Sequence, residues 1–126
     1  MEVRKIVENR KKGIRGMYGF MSDQTPAAAL VEYYTRFLNQ ETPVFPGLEK
    51  IASKYNMGVV FIDFRKIRRG YYEMAYEVLF ETTSGLPGYL ITDTHVKRLE
   101  KTIINKPEYW LWTHRRWKYK KETSND

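Results

Sequence analysis

Apolar residues along this chain change their period several times, and each change marks an element. Val3, Ile6 and Val7 recur at the three- and four-residue spacing of a helix face, and Gly13 then suits a C-terminal cap. "GMYGFMSD", residues 16–23, is a short apolar run between a glycine and a turn signal, which predicts a buried strand ending near Ser22. "LVEYYTRFL", residues 30–38, is ambiguous: Leu30, Tyr33, Tyr34, Phe37 and Leu38 fit a helix, yet many of its residues are strand formers. After Pro46, "GLEKIASKYN" sets Leu48, Ile51, Ala52 and Tyr55 on one face of a short helix.

Two strands follow. "MGVVFIDF", residues 57–64, is a continuous apolar run, the pattern of a strand covered on both faces. Residues 71–81 alternate instead, with Tyr72, Met74, Tyr76, Val78 and Phe80 on one side and Glu73, Glu77 and Glu81 on the other. Gly70 supplies the turn of a hairpin between them. "TDTHVKRLEKTIINK" is an amphipathic helix through Val96, Leu99 and Ile103, stopped by Pro107, which opens one further short turn. The order predicts an α/β fold: a small mixed sheet of about three to four strands flanked by helices, in one domain over residues 1–120, with a flexible polar tail at 121–126.

Composition changes the picture mainly through charge. The 126 residues carry a net charge of +7, with 42% hydrophobic and 29% charged residues, which fits one globular domain. There is no cysteine, which excludes a disulfide scaffold, a thiolate metal site and a thiol nucleophile. No apolar run approaches the ~20 residues of a membrane-spanning helix, and no signal peptide opens the chain as given. Six cations fall between Arg4 and Arg15, four between Arg65 and Arg69, and nine between Lys97 and Lys121. Such clusters attract phosphate, anionic lipid or an acidic protein. Bound by composition alone, the stretch "WLWTHRRWKYKK" (110–121) fits a single-stranded nucleic-acid surface, a membrane anchor or a packed tail equally well.

The motifs in order are more specific. "MSDQTP", then "FLNQETPVFPGLEKIA", then "GVVFID" and finally "PEYWLWTHRRWK" resemble the C-terminal part of the bacterial lipid A biosynthesis acyltransferases, the lauroyl/myristoyl transferase family, over about residues 1–120. The closing motif carries most of the resemblance, with Trp117 where the family usually has phenylalanine. The resemblance implies a partial acyltransferase-type α/β fold and transfer of a fatty acyl chain from acyl carrier protein to a lipid A precursor. It also implies a peripheral place on the cytoplasmic side of the bacterial inner membrane, and chemistry that needs no metal or organic cofactor. The family's catalytic His-x-x-x-x-Asp/Glu motif belongs to its N-terminal half, so the resemblance implies that this chain starts after it and is inactive alone. No catalytic residue is assigned here.

Under the resemblance Asp23 and Gln24 position substrate, and His114, Arg115 and Arg116 stand beside a site for an anionic group. The sequence departs from the family after Gln24, where "TPAAA" replaces glycine and basic residues. "FLN" stands where "FFG" is common, leaving any tight-turn role to Asn39. "HVKRLE" does spell His95-x-x-x-x-Glu100, but on a regular helix residues five apart lie about 140° apart and cannot share a hydrogen bond. Bland roles compete for each site residue: an Asx turn for Asp23, backbone ties for the arginines and core packing for the tryptophans. If the stretch closes the fold, Trp110 or Trp112 is buried while Lys118 to Lys121 stay in water. A small basic nucleic-acid-binding or interaction module is the alternative function, although no recognised nucleic-acid motif is present and no specific nucleic-acid partner is expected. A sheet edge left open would allow homo-oligomers.

Overall fold

A computed structural model describes residues 3–121. The elements run α1 (Val3–Lys11), β1 (Tyr33–Phe37), β2 (Gln40–Val44), α2 (Gly47–Tyr55), β3 (Val59–Arg68), β4 (Tyr71–Phe80) and α3 (Leu90–Asn105), with single 3-10 turns at Ala28–Leu30 and Pro107–Tyr109. The fold class is α/β, as read from the sequence. Its four strands, however, are divided between two antiparallel hairpins, β1–β2 and β3–β4, rather than joined in one mixed sheet. The expected tail lies outside the described residues beyond Lys121.

The ambiguous segment became a strand because a two-residue turn folds it back at once. Leu38 and Asn39 have φ of 48° and 63°, the left-handed pair that a tight hairpin demands. Asparagine accepts that conformation readily, and leucine does not. The Leu38 amide is fastened from outside: it donates to Glu100 Oε2 on α3 at 2.6 Å. Glu100, half of the "HVKRLE" string, is therefore tied to a hairpin turn.

Two sequence expectations fail. Residues 16–22 form no strand; Met17 is 92% and Met21 95% exposed. An apolar run becomes a strand only where a ladder partner takes its amides, and among the described residues none does. Nor is β3 covered on both faces. Val60, Ile62 and Phe64 face solvent, while the opposite side meets α3 through charge. There Arg98 Nη2 reaches Asp63 Oδ2 at 3.2 Å, its Nε pairs with Glu77, and its guanidinium lies over the Phe61 ring at 4.8 Å. The hydrogen bond to Glu77 holds the Arg98 pKa above its ordinary value.

The core has two parts. Phe37, Val44, Val96, Ile103 and Trp110 pack between the first hairpin, α3 and the C-terminal segment, with Tyr33, Leu38, Leu99 and Trp117 against them. Ala52, Val59 and Ile91 form a second cluster between α2, the base of the long hairpin and the start of α3. Buried Glu49 ties α2 to the start of α3. Its Oε2 accepts from the Thr92 amide at 2.7 Å and the Thr92 hydroxyl at 3.0 Å, giving the first turn of α3 the anion its free amides favour.

Candidate functional site

Asp23 and Gln24 sit at a bend between the irregular N-terminal segment and buried Pro26. What fixes this bend is Thr25. Its amide donates to His114 Nε2 at 3.1 Å, and its hydroxyl lies within 3.0 Å of the Arg115 carbonyl and 2.8 Å of the Arg116 carbonyl. Segments 89 residues apart are thereby laced together. Asp23, Gln24 and His114 line one pocket of about 90 Å³, closed by Tyr109, Trp110 and Leu111.

With the Thr25 amide as donor, the His114 Nε2 lone pair is already engaged, which puts the ring proton on Nδ1. His114 thus acts as a strut through Nε2, and its Nδ1–H together with the carboxylate and amide of the bend are the groups left to meet a ligand. A space of 90 Å³ takes one small polar group rather than a whole ligand.

The two arginines part company. Arg115 is exposed and does not line the pocket. Arg116 is 2% exposed, donates through Nη1 to the Pro43 carbonyl at 2.7 Å and lies 5.8 Å from the Phe37 ring centroid. Burial pulls its pKa down to about 10, opposed by the charge of Asp23. A guanidinium so placed holds β2 to the C-terminal segment and supplies positive potential beneath the bend.

A larger depression of about 830 Å³ lies between β3 and α3. It is lined by Arg65, Lys66, Lys97, Arg98, Lys101 and Lys106 against Asp63 and Glu100. Arg98 and Arg65 are occupied with Asp63. Lys66, Lys97, Lys101 and Lys106 have no ion-pair partner among the described residues, so the groove presents net positive charge. The sequence carried this signal as the clusters after Arg65 and Lys97; only the fold set them facing each other. Thr25 and Tyr109 had no such signal.

His95 and Glu100 do not meet as a pair. His95 is 7% exposed on α3, its Nε2 has no hydrogen-bond partner among the described residues, and burial lowers its pKa to about 4. Glu100 serves the Leu38 amide.

Residues 1–119 match the family of bacterial lipid A biosynthesis acyltransferases. The chain belongs to that family. No curated protein and no solved structure matches it. The family match spans the Asp23–Gln24 bend, the basic groove and the "HRRW" ending alike. Among the described residues no helix is long and apolar enough to cross a membrane, and no group of three His, Asp or Glu side chains could hold a metal ion.

Proposed function

We propose that this chain is the substrate-side part of a lipid A acyltransferase, which moves a fatty acyl group from acyl carrier protein to the hydroxyl of a lipid A precursor. Asp23 and Gln24 hold a polar group of the acceptor, His114 and Arg116 fix the bend that carries them, and Arg115 meets an outer anionic group. The general base and its carboxylate come from the family's His-x-x-x-x-Asp/Glu motif, for which His95 and Glu100 are no substitute. The four free lysines of the groove attract the acidic carrier protein and the anionic membrane face on which the acceptor resides.

The observation that supports this reading is that Asp23 and Gln24 share one pocket with His114 of the closing motif, to which Thr25 laces the bend. The test is calorimetric titration of the chain with a lipid A precursor. Binding that weakens about tenfold or more in Gln24→Ala supports it, a factor worth ~1.4 kcal/mol. Equal affinity of the variant would remove the bend from the site. Tighter binding of a single-stranded oligonucleotide, with a steep fall as salt rises, would favour a nucleic-acid module instead. The chain alone is expected to transfer no acyl group; turnover abolished by His95→Ala would overturn the assignment of the chemistry elsewhere.

A further inference from the structure

The long hairpin has one face that nothing among the described residues covers. Cross-strand pairs Val60–Val78, Ile62–Tyr76 and Phe64–Met74 set six apolar side chains on one side of β3–β4. They are 44–62% exposed. The face cannot turn inward, because the opposite one is committed to α3 through Arg98, Asp63 and Glu77. With the neighbouring Tyr72, 69% exposed, and roughly 100 Å² left open on each of these side chains, the strip amounts to about 700 Å². That exceeds the ~300–600 Å² patch usual on a monomer and approaches the ~800 Å² each partner buries in a stable complex.

We propose that this face is a dimer interface occupied by a second copy of the chain. Three features fit that occupant. First, the six residues are uncharged, and Lys66, the cation that pairs with Tyr72 on this side, stands at the tip, over which a two-fold partner would set its base, so like charges do not oppose although each chain carries +7. Second, the strip tapers: Val60 and Val78 at the base are small, Phe64 and Met74 toward the tip are large. A two-fold axis running across the strands between the layers sets each bulky tip over the partner's small base, which keeps two sheets at their usual ~10 Å separation. Third, the rival route of strand addition is obstructed on β3. The Lys66 amide already donates to Tyr109 Oη at 2.9 Å, and four cations between Arg65 and Arg69 crowd that end.

Sedimentation equilibrium of the full chain over about 1 to 100 µM tests the proposal. A concentration-dependent rise toward twice the 15.1 kDa chain mass is expected. Phe64→Lys should abolish the rise, while Met21→Lys, at a still more exposed apolar site elsewhere, should leave it intact. Circular dichroism of Phe64→Lys checks that the monomer is still folded; Tyr76→Lys repeats the test if it is not. A chain monomeric throughout, or a dimer indifferent to both hairpin substitutions, would overturn the proposal and leave the face to another polypeptide or a bilayer. The dimer does not depend on acyl transfer, so neither outcome bears on the family's chemistry.

Discussion

Arg116 is held against the Pro43 carbonyl at 2.7 Å while its neighbour Arg115 stands in solvent. Arg116→Met should therefore cost about 1–3 kcal/mol, since it strands a buried carbonyl, whereas Arg115→Met should change stability by less than ~0.5 kcal/mol. Urea unfolding of the two variants reads the difference; equal effects would contradict the buried tie. His95 gives a second residue-scale prediction. Its folded pKa of about 4 lies below the ordinary histidine value of 6.5 because burial disfavours the charged ring. Above pH 6.5 both states are neutral and nothing is lost. As pH falls from 6.5 toward 4 the unfolded chain takes up a proton that the folded chain refuses, and stability drops by up to roughly 3 kcal/mol. His95→Leu should flatten that part of the melting profile and be neutral or stabilising at pH 7, because it removes a buried nitrogen without a partner. An unchanged profile would place His95 in contact with water.

The C-terminal stretch shows how one element can look like an appendage and be core. Trp110 is 9% exposed and meets Phe37 edge-on at 5.7 Å, and Trp117 stacks near the same ring and donates Nε1 to Thr42 at 2.8 Å. Trp112, 58% exposed, only tethers itself to the Pro107 carbonyl. Lys118, Lys120 and Lys121 are exposed. Trp110→Ala should cost about 3–5 kcal/mol and Trp112→Ala much less. Ending the chain at Pro107 removes two rings from the main core cluster and should abolish cooperative melting, given ~5–15 kcal/mol of total stability. A truncated chain that still melts cooperatively would show the stretch to be dispensable.

For the whole molecule the distribution of charge matters more than its sum. Lys97 and Lys101 lie one helical turn apart on α3, on the wall of the basic groove. If the groove takes acyl carrier protein and an anionic membrane face as proposed, the double substitution Lys97→Glu, Lys101→Glu should weaken binding to both and flatten its salt dependence. Binding to neutral vesicles should not change. Equal loss on neutral vesicles would remove electrostatics as the source of attraction.

Much of this was written in local sequence. The spacing Val96, Leu99, Ile103 determined which face of α3 is buried, Gly70 determined the hairpin, and the "HRRW" ending with "DQ" determined the family, because periodicity, turn chemistry and motif are properties of neighbouring residues. Tertiary structure alone decided the rest. It made a strand of residues 33–37 by clamping the Leu38 turn with Glu100, and it left Met17 and Met21 in water for want of a ladder partner. It also turned the apolar side of β3–β4 outward, because Arg98 drew the charged side inward. An apolar residue records that it gains from being covered; which surface covers it is set by partners distant in sequence, and the local pattern does not name them.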